Sequence, residues 1–428
     1  MHRLVIAAAL AGLTASTLPA QAPAEVLRPV GGLSQAVCDS LLEPIAFVQA
    51  SNGRYLLLDR RRHTVYAVDR TGTERSVLVQ AGLEKGEALQ PAALSMAPDD
   101  SWAVTDAPFR QERIQIFTSG GSQIRAFLRP GLTAPRLAMG PVILNGVGSL
   151  QFTGDTFLIN APETGALISE LDLDGNPIRQ IGRLRDTGHE ADQNVHLALN
   201  IGLALRHPDG GFVFVFQTGV PKFRKYDADG DLVYERHIEG SHLDPYVQSL
   251  PTTWPTRKAG DGLYPIVPPT IRTAAIDPSG NLWVSLIAPV TYIYDSWGDK
   301  RRTIKFDGTG NAAPTSLTFS RASGATRALV LPGCYEYEVP EVPGSRSPGV
   351  PKSRSPGVPE SRSPGVPESR SPGVPESRSP GVPESRSPGV PESRSPGVLK
   401  DHPASTMPTR PTSATSSAPG TANRIQRP

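Results

Sequence analysis

The chain has 428 residues, with 43 Lys and Arg against 41 Asp and Glu and a formal net charge of +2. So small an excess gives no electrostatic case for nucleic acid or an anionic membrane surface. No stretch approaches the ~20 consecutive apolar residues of a bilayer span, which excludes an integral helical membrane protein.

The N-terminus reads as an export signal. Met1-His2-Arg3 precedes the short apolar run Leu4 to Leu13, and small residues at Ala20, Ala22 and Ala24 complete a signal peptide over 1–24, cleaved after Ala20 or Ala24. The expected location is therefore secreted or periplasmic. Residues 25–343 follow as a Gly-punctuated segment long enough for a substantial core.

Within that segment one pattern recurs. A first turn falls at Asn52-Gly53, Asp99-Asp100, Gly154-Asp155, Asp209-Gly210, Ser279-Gly280 and Ser323-Gly324. A second follows roughly 20 residues later in five of these units, at Thr71-Gly72, Gly120-Gly121, Asp174-Gly175, Asp229-Gly230 and Trp297-Gly298. Between turns lie short β-branched, aromatic or Leu-rich runs such as Tyr55 to Leu58, Phe212 to Phe216 and Leu282 to Leu286. Near-continuous apolar strands joined by tight Gly turns imply sheets covered on both faces. The spacing predicts an all-β, six-bladed β-propeller of four-stranded antiparallel blades.

The sixth unit supplies only three strands, Ser316 to Phe319, Ala328 to Leu331 and Cys334 to Val339, before the chain turns Pro-rich. An open ring would expose an unpaired edge, and Glu25 to Arg28 is the expected closing strand. First and second turns share one face of the disc. Cys38, in the connection to the first blade, and Cys334, between the second and third strands of the sixth, then both fall on the opposite face at one seam. A disulfide between them is expected in an exported protein.

Residues 54–73, RYLLLDRRRHTVYAVDRTGT, resemble the repeat of NHL-type propellers: apolar strand, Asp, basic loop, strand, then Asp-x-x-Gly. Asp59, Asp69 and Gly72 match that pattern, and 170–178 and 223–233 match its second half. The acid after the second strand is kept as Asp106, whereas Asn160, Gln217 and Leu286 replace it in later units.

From Ser345 to Lys400 the octapeptide SRSPGVPE recurs seven times, which assigns 344–400 to a disordered, polyproline-leaning repeat. Residues 401–428 form a Ser/Thr/Pro-rich disordered tail.

The chemistry-bearing candidates lie on the loop-rich face. Arg60, Arg62 and His63 form a basic loop on the first blade; His189 and His196 lie between the third and fourth. The longest insert, 239–272, carries His242, Asp244, Tyr246, Trp254, Arg257 and Tyr264. Aromatic and charged residues on loops over a rigid scaffold suit recognition. Asp227 to Asp231 fails as a calcium loop, because Gly230 stands fourth where an EF-hand needs its Gly sixth; Asp172 to Asn176 likewise reads as a hairpin turn. No G-x-S-x-G or phosphate-binding loop occurs.

The expected function is a monomeric, non-catalytic binding propeller for a protein, peptide or glycan, needing no metal or cofactor. The alternative is a hydrolase, lactonase or lyase with calcium or zinc on the axis, since six-bladed propellers of this kind include such enzymes.

Overall fold

A computed structural model describes residues 24–108, 111–129, 135–139, 142–145, 149–259, 262–310, 312–321 and 324–340. The signal-peptide run, the octapeptide repeats and the 401–428 tail lie outside them.

Six four-stranded antiparallel units follow in chain order, each numbered from the axis outward as strands a to d. Blade 1 comprises Pro44–Gln49, Tyr55–Asp59, Thr64–Val68 and Arg75–Val79; blade 2, Ala93–Met96, Trp102–Asp106, Arg113–Phe117 and Gln123–Leu128. Blade 3 comprises Leu150–Phe152, Phe157–Ile159, Ala166–Leu171 and Pro177–Arg183; blade 4, Gly202–Arg206, Phe212–Phe216, Lys222–Tyr226 and Leu232–His237. Blade 5 comprises Ile271–Ile276, Leu282–Leu286, Thr291–Tyr294 and Lys300–Phe306. Blade 6 takes Ser316–Ser320, Arg327–Leu331 and Tyr335–Glu338 from the C-terminal side and Pro29–Gly32 from the N-terminal side. Each a strand abuts those of both neighbours, with that of blade 6 against that of blade 1, so the ring is closed.

The core is six cores, one in each wedge between neighbouring blades. Strand alternation divides the side chains. In Phe212–Phe216 the three phenylalanines face blade 3, while Val213 and Val215 face blade 5. Every b strand therefore needs apolar residues at successive positions, which is why the sequence shows runs rather than alternation. Each such side chain contributes about 1.5–3 kcal/mol on full burial.

The Asp-x-x-Gly turns have a mechanical explanation. Asp69 accepts hydrogen bonds from the amides of Thr71 and Thr73, Asp172 from Asp174 and Asn176, Asp227 from Asp229 and Asp231, and Asp295 from Trp297 and Asp299. One carboxylate thus closes each turn, and the Gly takes the positive φ that the hairpin needs, as at Gly72 (73°) and Gly230 (94°). The carboxylates of Asp172 and Asp227 are turn clamps.

Closure differs from the sequence expectation. Glu25–Leu27 does not join blade 6; it adds as a parallel fifth strand to Lys300–Phe306, with Val26 opposite Lys305. Pro29–Gly32 completes blade 6, with Pro29 opposite Tyr337. A Pro-Val-Gly-Gly run reads poorly as a strand, yet this outermost edge requires it. Gly32 sits at φ 127°, and a Cβ there would collide with the Cys334 carbonyl. The N-terminal segment therefore straps two blades together.

Cys38 and Cys334 form the expected disulfide, with Cα atoms 6.1 Å apart. Such a bridge is the mark of an oxidising, non-cytoplasmic environment. Among the described residues, no helix is long and apolar enough to cross a membrane.

Candidate functional site

The a strands present one unpaired edge each to the axis, and polar side chains from neighbouring blades tie several of those edges down. Ser95 Oγ accepts from the Phe152 amide (2.9 Å), Ser149 Oγ from the Ala204 amide (2.9 Å) and Gln151 Oε1 from the Arg206 amide. Thr318 Oγ1 donates to the Phe47 carbonyl (2.7 Å), and Gln217 Nε2 to that of Arg272 (3.1 Å). These bonds hold the inner strands apart around a central channel of about 1440 Å³. Its wall mixes Ala, Leu, Ile and Pro with Ser, Thr, Gln and several charged residues.

At the loop-rich end the 239–272 insert reaches over the mouth. Leu243, buried in the wedge between blades 4 and 5, anchors the short helix Asp244–Gln248. Beyond it, Tyr246, Ser249, Leu250 and Pro251 join the channel lining. The insert then forms the hairpin Thr256–Ala259 with Gly262–Pro265. A second hairpin, Pro135–Met139 with Val142–Asn145, stands in the connection between blades 2 and 3.

Most charges on the channel wall are engaged. Arg60 Nε donates to Glu43 (3.1 Å), Asp100 accepts from the Ser51 amide (2.8 Å), and Asp277 accepts from Ser279, Asn281 and the Trp283 indole. Arg206 lies 3.8 Å from Glu170 and stacks over Phe212. His207, also on the wall, is buried; desolvation, then the nearby Lys225 ammonium, hold its imidazole below the ordinary value against a smaller pull from Asp209. Two arginines are not: Arg321, exposed at the tight-turn end with no side-chain partner among the described residues, and Arg272. The Nε of Arg272 is buried, and among the described residues no hydrogen bond or ion pair to its guanidinium is present. Desolvation lowers its pKa.

Of the residues singled out from the sequence, Arg60 and Tyr246 meet at the channel; Tyr246 is 40% exposed. Arg62 lies on the same blade-1 loop, 3.8 Å from Asp59, and His63 occupies a left-handed position there (φ 55°). Trp254 is buried with Val195, Leu199 and Val267, donating to His189 Nε2 (3.3 Å), so it packs the insert onto the helix Gln193–Leu199. His196, within that helix, contacts Thr187 Oγ1 through Nδ1 (2.8 Å). His242 Nδ1 sits 3.2 Å from the Tyr292 hydroxyl, Asp244 opens its helix exposed to solvent, and Arg257 and Tyr264 are cross-strand partners on the hairpin. The set is therefore dispersed over the face, with two members at the channel.

Of the residues closing the b strands, Asn160 and Gln217 line the channel and Asp59 and Asp106 do not. Asp59 accepts from the amides of Leu42 and Glu43, Asp106 from that of Leu89, and Asn160 from that of Gly202, while Gln217 donates to Arg272. All four fasten the entry into an a strand. Among the described residues, no group of three or more His, Cys, Asp or Glu side chains is placed to hold a metal ion.

Sequence reasoning missed the channel wall itself. The available signal was Ser, Thr and Gln within otherwise apolar inner strands, as in Ser95, Gln151 and Thr318.

No family model matches the chain, and no curated protein matches it. Among solved structures it is similar to virginiamycin B lyase from Staphylococcus aureus, with 12% identity over 70% of this chain and 85% of that one and a TM-score of 0.41. It is also similar to a streptogramin B lyase (12% identity, 70% and 83% covered, TM-score 0.41) and to the hydrazine synthase of Kuenenia stuttgartiensis (12%, 68% and 74%, 0.41).

Proposed function

We propose that this is an exported binding propeller that takes its ligand into the central channel from the loop-rich face. The observation that carries the reading is the channel of about 1440 Å³ with Tyr246, Ser249, Leu250 and Pro251 of the long insert at its mouth. Ligand sites of this kind are concave, largely apolar and edged by a few polar groups. The ring supplies rigidity and the insert supplies selectivity; the candidates on the surrounding loops, Arg62, His63, Arg257 and Tyr264 among them, extend the surface to larger partners.

A binding role is favoured over axial metal chemistry because Asp59, Asp106, Asn160 and Gln217 are committed to backbone hydrogen bonds. The signal peptide over 1–24 and the disulfide support a secreted or periplasmic location. The NHL-type repeat is our reading of 54–73.

The test is calorimetric titration with short apolar peptides and oligosaccharides, comparing the wild type with Tyr246→Ala and Ser249→Trp. Binding weakened tenfold or more by both mouth substitutions supports the proposal. Binding that survives both, or that hydrogen exchange maps to the d strands, contradicts it.

A further inference from the structure

Arg272 is a channel-wall charge at the loop-rich mouth whose guanidinium has no acceptor among the described residues. Ile271 pairs with Leu286 and Thr273 with Ser285, so Arg272 is the extra residue of a β-bulge. Bulges break the alternation of a strand and re-aim a side chain; this one lies two residues beyond Thr270, at the loop-rich mouth, and Arg272 lines the channel. Its guanidinium is half-buried, with Nε out of reach of solvent and without an acceptor. A buried donor left unpaired is costly, and each such group in a native structure asks for an explanation.

The repeat shows what has been removed. In blade 2 the residue closing the b strand, Asp106, forms a two-point pair with Arg113: Nε to Oδ1 at 2.9 Å and Nη2 to Oδ2 at 2.7 Å. In blade 1 the same position is Asp59, 3.8 Å from Arg62. In blade 5 it is Leu286, fully buried and opposite the start of the bulge. Blade 5 thus carries no acid at the position that in blades 1 and 2 pairs with an arginine of the b–c connection or c strand.

We propose that Arg272 receives the carboxylate of a ligand whose apolar body lies along the channel, which deepens, and rests on, the reading of the channel as the binding site. A guanidinium fork matches a carboxylate at two points. Among the described residues lining this mouth, the other arginine, Arg60, is paired with Glu43, so the single unpaired guanidinium there suits a monoanion rather than a phosphate dianion. The Ala, Leu, Ile and Pro side chains of the wall accept the uncharged remainder.

The test is titration of the full chain with two acid–neutral pairs: decanoate against decanol, and N-acetyl-trileucine acid against its amide. At least one acid is expected to bind wild type tenfold or more tighter than its neutral partner. Arg272→Gln should erase that preference while leaving the neutral compound's affinity within twofold, and Arg272→Lys should restore part of it. The melting temperature of unliganded Arg272→Gln should equal or exceed that of wild type, because an uncompensated cation has been removed. A stronger preference with the peptide pair identifies a peptide C-terminus as the source; a stronger one with decanoate identifies a fatty acid. Equal affinity for acid and neutral forms, a preference that persists in Arg272→Gln, or a marked fall in its melting temperature overturns the inference. If no compound binds wild type, the channel reading fails and the inference with it.

Discussion

Blades 2 and 5 are built to one plan and treat charge in opposite ways. In blade 2, Asp106 is 1% exposed and fully engaged, taking the Leu89 amide, both arms of Arg113 and the Gln115 amide group. In blade 5 the corresponding residue is Leu286, and the arginine nearby has no acid. The difference teaches that the residue ending each b strand is a structural staple where it is polar. In blade 5 an apolar residue takes that position and packs into the wedge, and the ring holds without the staple.

The comparison can be broken most forcibly from the blade 2 side. Asp106→Ala leaves Arg113 uncompensated and frees the Leu89 amide; truncating one member of a buried pair costs about 3–5 kcal/mol. Urea unfolding should show that loss, whereas a loss under 1 kcal/mol would mean that the staple is dispensable in blade 2 as well. A double-mutant cycle sharpens the contrast. Leu286→Asp should be less destabilising in wild type than in Arg272→Gln, by a coupling of about 1–2 kcal/mol, within the range for contacting residues. A coupling near zero would separate Arg272 from the repeat's acid position.

The smallest expected effect concerns pH at the other end of the channel. His207 Nε2 lies 3.1 Å from the Gly280 carbonyl of blade 5, and its Nδ1 lies 2.7 Å from Asp209, itself bonded to Lys225. Because burial lowers its pKa in the fold, the unfolded chain takes up a proton that the native state resists as pH falls through about 6.5. Its contribution is therefore complete above that pH and lost below it. The melting temperature should drop between pH 7 and pH 5, and less so in His207→Gln; equal slopes would remove His207 from the account.

Much of the ring was legible because its turns obey local rules. Asp69, Asp172, Asp227 and Asp295 each close a turn whose Gly must adopt positive φ, and that chemistry is written in consecutive residues. Cys38 and Cys334 were assignable to one face because strand parity alone decides it. The closing strap was misplaced by one element, since Pro29-Val30-Gly31-Gly32 lacks the residues that mark a strand and is specified by what it must pack beside. Trp254 suits either recognition or packing of the insert from sequence alone, and it packs because Val195, Leu199 and Val267, remote along the chain, converge on it. Arg272 was invisible for a similar reason. Its role depends on a register shift against Ser285 and Leu286, and register is a property of the sheet rather than of spacing.

The most direct test of the central claim is a crystal structure of the protein soaked with decanoate or N-acetyl-trileucine acid. The account predicts a carboxylate within hydrogen-bond distance of the Arg272 guanidinium, with the apolar body running down the channel past the inner strands. An empty channel, or a ligand held on the outer strands or the tight-turn face with Arg272 untouched, would contradict it.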